Sequence, residues 1–94
     1  MYIFKVKLTE FAKRQLLKMP THIIRKLMSR VDGIEKDGLN YMRKIPGYHD
    51  EPLRGKRVGE RSIRLSKAYR AIYVLDKEGK VEIIKVTEVS KHDY

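Results

Sequence analysis

The sequence predicts an α+β domain with the element order β-α-α-β-β-β, in which a helical hairpin packs on one face of a small, antiparallel-rich sheet. Three observations predict this fold. Residues 2–8 alternate between apolar and polar side chains, residues 10–38 carry apolar positions at helical spacing, and residues 60–90 return to alternation. The chain has 94 residues, 41% of them hydrophobic, which is enough for one core. We therefore expect a single domain over residues 1–94.

The first half of the chain reads as a strand followed by two helices. In residues 2–8, YIFKVKL, every second side chain is apolar, which is typical of a strand with one buried face. Thr9 is suited to cap a helix that Pro20 ends, and Thr21 is suited to cap the next helix. That second helix has an apolar stripe at i, i+3, i+4, i+7 spacing and meets Gly38, a residue type favoured at helix ends.

The stretch from Asn40 to Gly59 has no periodicity and is punctuated by proline and glycine. A connection of that length inside a small domain is usually functional or disordered. We expect a functional one, because it carries several reactive or basic side chains: Tyr48, His49, Glu51, Lys56 and Arg57.

Three strands are predicted in the second half, over residues 60–66, 69–75 and 80–90. A turn at Lys67-Ala68 joins the first two, and a hairpin turn at residues 76–79, DKEG, joins the last two. Alternation in the first of these strands predicts that Ile63 and Leu65 face the helices. Ser62, Arg64 and Ser66 then lie on the opposite, open face of the sheet.

The charge of the chain predicts a polyanionic partner. Its formal net charge is +10. The stretch from Arg54 to Arg70 contains seven Lys or Arg residues and only one acidic residue, Glu60. An excess of this size in a small domain is typical of nucleic-acid binding, although a basic surface kept for solubility is the plain alternative. The candidate RNA-binding residues are Arg54, Lys56, Arg57, Arg61, Lys67 and, at the end of the last strand, Lys91.

Other function classes are disfavoured by the residues that the chain lacks. It contains no cysteine, and its three histidines do not have metal-ligand spacing. We therefore expect neither a metal nor another cofactor. The N-terminal apolar runs are short and broken by lysine, so we expect no signal peptide, no membrane partner and a cytoplasmic protein.

RNA can be cut without a metal when the substrate's own 2′-hydroxyl is the nucleophile. The protein must then supply a base, cations for the developing phosphorane and an acid for the departing oxygen. Glu51 or His92 could be the base, Arg64 and Arg70 the cations, and His92 or Tyr94 the acid. Aromatic rings could stack on an unpaired base; the candidates are Tyr94, Tyr69 and Tyr48.

Each of these side chains also has a structural explanation. Glu51 could pair with a neighbouring arginine, Arg70 could pair with Glu88 across the sheet, and His92 could be a solvated residue of the chain end. The residues alone therefore predict a basic α+β domain that binds RNA and leave the cutting activity open.

Three segments resemble the RelE/ParE toxin superfamily, and in particular its RelE-, YoeB- and HigB-like mRNA interferases. They are EPLRG (51–55), SIRLSKAYRAIY (62–73) and the C-terminal KHDY (91–94). The resemblance covers nearly the whole chain and is most specific after Glu51. It implies the toxin of a type II toxin–antitoxin pair that cleaves messenger RNA in the ribosomal A site. The implied partners are a cognate antitoxin, the message and ribosomal RNA.

The resemblance also implies roles for individual residues. Glu51 matches the proposed general base of the YoeB-like branch, and Arg70 matches the phosphate-stabilising arginine. Arg64 falls where RelE carries a strand lysine, and His92 and Tyr94 match the terminal acid and stacking residues. The sequence departs from the pattern at Asp93, which separates the last two, and at Ser62, where RelE has a lysine. The alternatives are a ParE-like gyrase inhibitor, which lacks this set, and a non-catalytic RNA- or ribosome-binding module.

Overall fold

The computed structural model describes residues 3–91. Within that range the chain forms β1 (Ile3–Leu8), α1 (Glu10–Leu17), α2 (Thr21–Asp37), α3 (Leu39–Met42), β2 (Glu51–Pro52), β3 (Arg61–Arg64), β4 (Tyr69–Glu78) and β5 (Val81–Lys91). A short 3-10 turn, Gly55–Arg57, lies between β2 and β3. The predicted α+β class is confirmed, and the observed order adds α3 and β2 to it.

The described strands form one five-stranded sheet in the order β1-β5-β4-β3-β2. The strands β2, β3, β4 and β5 pair antiparallel in succession, and β1 pairs parallel with β5. The predicted antiparallel-rich sheet is therefore confirmed. The parallel pair is possible because α1 and α2 carry the chain away from β1, and parallel strands need such a long connection.

The helices cover one face of this sheet, and the core lies between the two layers. Ile63 of β3 and Leu65 are buried against the helices, whereas Arg64 between them is exposed. The alternation predicted for β3 is thus confirmed. The stripe of α2 is confirmed at Leu27, Val31 and Ile34, which enter the core. It is wrong at Met28, which is exposed.

The helix ends agree with the sequence at two positions and differ at a third. The Thr9 hydroxyl accepts a hydrogen bond from the Ala12 N–H at 3.1 Å and caps α1 as predicted. Gly38 ends α2 at a φ of 85°, and a side chain there would meet the Phe4 ring at 2.7 Å. The predicted Thr21 cap is wrong: Pro20 occupies the capping position and makes no side-chain hydrogen bond, and Thr21 is already helical.

Two boundaries in the second half also differ from the prediction. The predicted turn at residues 76–79 is shorter, because Asp76 to Glu78 continue β4 and Glu78 pairs with Val81. The reversal uses Gly79, which adopts a φ of 60°, and the residue after it. The strand predicted over residues 60–66 is regular only from Arg61 to Arg64.

The amide side chain of Gln15 joins α1 to the sheet. Its Oε1 accepts a hydrogen bond of 2.7 Å from the backbone N–H of Val89 in β5, a residue with no exposed surface. Removing the acceptor leaves that buried N–H unpaired. We therefore expect Gln15→Ala to lower the free energy of unfolding by about 1–2 kcal/mol in urea titrations. Arg14→Ala, an exposed change on the same helix, is the control and should stay within about 0.5 kcal/mol of wild type. Equal free energies of unfolding for the two variants would show that the hydrogen bond between Gln15 and Val89 does not stabilise the fold.

Candidate functional site

The face of the sheet opposite the helices carries a row of polar side chains across β3, β4 and β5. Arg64 lies directly opposite Arg70, and Arg70 lies directly opposite Ser90. The neighbouring row begins with Glu51 of β2, which pairs with Ser62. Because alternate residues of a strand share a face, these two rows lie side by side on the open surface.

A groove lies over these rows. Its walls come from β2, β3, the turn after β3 and the start of β4, and they consist of His49, Glu51, Leu53, Ser62, Arg64, Ser66, Lys67, Tyr69 and Arg70. Three of the residues predicted to act in catalysis therefore meet in one groove: Glu51, Arg64 and Arg70. Their catalytic roles stay predictions, and their proximity is an observation.

The two arginines of the groove have no carboxylate partner among residues 3–91. Arg64 is exposed and Arg70 is half-buried, and the Nε of Arg70 has no hydrogen-bond partner among those residues. Like charges directly opposite each other on a sheet are destabilising. An anion in the groove would remove this repulsion and satisfy both guanidinium groups.

The structural explanations considered for Arg70 and Glu51 do not hold in the described part of the chain. Glu88 lies opposite Ile72 and not Arg70. Its carboxylate accepts a hydrogen bond of 3.0 Å from Arg57, which also binds Glu60 at 2.9 Å. Glu51 makes no ion pair with any residue between 3 and 91 and remains exposed at the groove.

The loop before β2 is held by a buried carboxylate that the sequence analysis did not single out. The side chain of Asp50 is 1% exposed and accepts hydrogen bonds from Arg43 Nε at 3.1 Å and from Arg61 Nε at 2.6 Å. The Tyr73 hydroxyl donates a third hydrogen bond to it. We call these four residues the Asp50 cluster. No sequence signal marks it, because its members lie 7 to 23 residues from Asp50.

The phenol of Tyr73 should report on this cluster. Burial, together with the hydrogen bond to Asp50, raises the pKa of Tyr73 to about 12. The folded chain therefore keeps this proton at a pH at which an unfolded tyrosine loses it, so stability is fully present below about pH 10 and declines as the pH rises toward 12. Tyr73→Phe should show a smaller decline of the free energy of unfolding across this window than wild type. For Tyr41→Phe, at an exposed site, the free energy of unfolding should decline as it does in wild type. Parallel plots of this free energy against pH for all three proteins would refute the prediction.

The ring of Tyr48 is fully buried, which corrects one of the stacking candidates. The Arg30 guanidinium lies 4.7 Å from its centroid, and the ring belongs to the core cluster. Burial also raises the pKa of Tyr48 well above its ordinary value. A side chain in this position cannot stack on a base. Tyr69 is half-buried and lines the groove, so its stacking role stays a prediction.

Comparison with known proteins identifies the architecture. No family model matches the chain, and no curated protein matches it in sequence. Solved structures do match. YafQ from E. coli superposes with a TM-score of 0.73 at 13% identity, covering 94% of this chain and 92% of that one. A YoeB/ParE toxin from Agrobacterium tumefaciens gives 0.71 at 16% identity, covering 95% of this chain and 99% of that one. A chain of the toxin–antitoxin complex RelBE2 from Mycobacterium tuberculosis superposes with a TM-score of 0.67 at 25% identity. The match covers 96% of this chain and 99% of that one.

The chain has the fold of the RelE/ParE toxins. The resemblance seen in the sequence is thereby confirmed at the level of the fold.

On this RelE/ParE fold the predicted RNA-binding residues fall into two groups. Arg54, Lys56, Lys67 and Lys91 are exposed. The guanidinium groups of Arg57 and Arg61 are instead held by carboxylates, Arg57 by Glu60 and Glu88 and Arg61 by Asp50. Lys91 lies directly opposite Tyr69 at the end of β5.

Two predicted catalytic residues, His92 and Tyr94, lie outside the described residues.

Within residues 3–91 of this RelE/ParE fold, no group of His, Asp and Glu side chains is arranged to hold a metal ion. None of the helices in that range has the length and apolar character needed to cross a bilayer.

Proposed function

We propose that the chain is a single toxin domain of a type II toxin–antitoxin pair and a metal-independent endoribonuclease that cleaves messenger RNA in the ribosomal A site. The observation that carries this proposal is the groove in which Glu51, Arg64 and Arg70 meet. The chain has a net charge of +10, and the groove offers a carboxylate and two guanidinium groups that have no carboxylate partner among residues 3–91. Among the residues that the structure describes, the groove is thus suited to an RNA phosphate.

In the proposed reaction Glu51 accepts the proton of the 2′-hydroxyl, and the 2′-oxygen attacks the adjacent phosphorus. Arg70 and Arg64 stabilise the charge that builds on the non-bridging oxygens. The products are an upstream fragment with a 2′,3′-cyclic phosphate and a downstream fragment with a 5′-hydroxyl. The resemblance to the interferases assigns the remaining acid and stacking functions to His92 and Tyr94.

The exposed lysines and arginines around the groove are proposed to hold the message and ribosomal RNA. Arg54 and Lys56 lie on the loop after β2, and Lys67 lies at the rim of the groove. Contacts of this kind to phosphate oxygens give affinity without base specificity and weaken as salt rises. Two charges of the predicted set, those of Arg57 and Arg61, are compensated within the fold, so we expect them to contribute less.

The proposed protein partner is a cognate antitoxin. The similar structure from M. tuberculosis was solved as a toxin–antitoxin complex, and so was the E. coli DinJ–YafQ structure. An acidic segment that covers the uncompensated arginines would block the groove and relieve their mutual repulsion. Toxin and partner would act in the cytoplasm, where ribosomes translate.

Induced expression with mapping of message ends tests the proposed function. We expect translation to stop and primer extension on cellular messages to show new 5′ ends within translated codons. Expression of Glu51→Gln at the same level should leave the messages intact. Intact messages together with DNA damage signalling would instead favour a ParE-like gyrase inhibitor, and intact messages with stalled ribosomes would favour a non-catalytic binder.

A further inference from the structure

The groove contains an imidazole that the sequence analysis mentioned but gave no role. His49 is exposed and lines the same groove as Glu51, Arg64 and Arg70. Its neighbours in the chain point elsewhere, since Tyr48 enters the core and Asp50 enters its own cluster. Of residues 48–50, His49 is therefore the one whose side chain lines the groove.

The backbone of His49 is held in an unusual conformation. Its φ is 46°, which makes it the one non-glycine residue with positive φ in the range 3–91. L-residues seldom adopt this region, although histidine tolerates it better than most. Strain of this kind persists where the surroundings fix the chain, and it is frequent at active sites.

The residues on both sides of His49 supply that fixation. The carbonyl of Tyr48 accepts a hydrogen bond of 3.0 Å from the Arg64 N–H, and its buried ring lies under Arg30. Asp50 is held by three donors from α3's C-terminal end, β3 and β4. Anchors immediately before and after one residue fix its backbone, so the Cα–Cβ bond of His49 has a set direction at the groove.

Cleavage by the 2′-hydroxyl needs a proton acceptor and a proton donor on opposite sides of the phosphorus. Carboxyl groups are normally ionised at neutral pH, whereas histidine is the side chain that changes charge between pH 5 and 8. The groove holds one of each within two residues of chain. We propose that His49 is the general acid of this site and protonates the leaving 5′-oxygen.

This assignment rests on the proposed function, and it gives to His49 the acid role that the resemblance assigns to His92. Glu51 takes the proton of the 2′-hydroxyl as the bond between the 2′-oxygen and phosphorus forms. The bond between phosphorus and the 5′-oxygen breaks, and the His49 imidazolium gives its proton to that oxygen. No oxidant, reductant or further reactant is needed.

The charged and titratable groups that share the groove with His49 come from β2, β3, β4 and the turn between the last two: Glu51, Arg64, Lys67, Tyr69 and Arg70. In the proposed step the guanidinium groups of Arg64 and Arg70 face the phosphate oxygens, and Glu51 and His49 exchange protons with the 2′- and 5′-oxygens.

The test compares His49→Asn with His22→Asn on programmed ribosomes under single-turnover conditions. Asparagine tolerates positive φ, so the first change preserves the backbone of the loop. His22 is an exposed histidine at the start of α2, in the helical layer, and is the matched control. We expect His49→Asn to slow cleavage by about 10²–10⁴-fold. The control should cleave as wild type does.

A message with sulfur in place of the 5′-oxygen at the cut identifies the step. Thiolate leaves without protonation, so His49→Asn should cleave this linkage at the rate of wild type, whereas Glu51→Gln should remain slow. His49→Gly with added imidazole gives a second variant, and recovery of cleavage of the ordinary message is expected.

Two results would overturn the assignment: cleavage of the ordinary message by His49→Asn at the wild-type rate, or a loss that the sulfur linkage does not restore. If the sulfur linkage restores cleavage by a His92 variant but not by a His49 variant, the general acid is His92. If the wild-type chain does not cleave messages at all, the proposed function itself fails, which is a separate result.

Discussion

Replacing Arg70 by alanine is expected to slow message cleavage on the ribosome by about 10²–10³-fold, which is the usual cost of removing one positioned donor from a site of developing negative charge. Arg70 is half-buried, lines the groove and lies directly opposite Arg64. Stability should hold or rise slightly in the same variant, because the change relieves the repulsion between the two arginines. Single-turnover rates and urea titrations measure the two effects separately.

Arg25→Ala is the control for this prediction. Arg25 is exposed on α2, in the layer opposite the groove. Each of the two variants removes one positive charge, so they lower the net charge equally. Wild-type cleavage by Arg70→Ala would remove Arg70 from the site. An equal loss in both variants would mean that total charge matters and the position of the guanidinium does not.

Asp50→Asn is expected to produce the largest loss of stability, about 3 kcal/mol in the free energy of unfolding. Removing one partner of a buried ion pair leaves uncompensated charges, at a usual cost of about 3–5 kcal/mol. The lower end applies because Arg43 and Arg61 are 31% and 32% exposed and can be partly rehydrated. For a chain of this length, the melting temperature should fall by more than about 10 °C.

The same substitution should also lower cleavage, because Asp50 anchors the loop that carries His49 and Glu51. Asp37→Asn, at an exposed position at the end of α2, is the matched control and should stay within about 0.5 kcal/mol of wild type. A loss below 1 kcal/mol for Asp50→Asn would show that the cluster does not stabilise the fold as argued.

Local pattern was sufficient for most of the fold. Alternation located β1, β3, β4 and β5, and the stripe of α2 and the cap at Thr9 followed from spacing and residue type. The two-residue strand β2 is too short for any alternation to appear. Thr21 has the chemistry of a cap, but Pro20, whose N–H is missing and whose φ is already fixed, takes the position before it.

The candidate site was predictable where its residues lie on strands that follow one another in the chain, and missed where contacts are made across the fold. Glu51, Arg64 and Arg70 meet as expected. The burial of Tyr48 and the Asp50 cluster depend on partners from α2, α3, β3 and β4, and no linear pattern encodes such pairings. The positive φ of His49 occurs between these two anchors, and no pattern in the sequence predicts it.

The proposed cleavage in the groove depends on the 2′-hydroxyl of the RNA substrate. The most direct measurement is cleavage, by the purified chain, of a message bound to programmed ribosomes, with a single 2′-deoxy nucleotide at the cut position. We expect no cut at that position, whereas the all-ribose message yields a 2′,3′-cyclic phosphate upstream and a 5′-hydroxyl downstream. Cleavage of the 2′-deoxy message at the same position, or a 5′-phosphate on the downstream fragment, would contradict it.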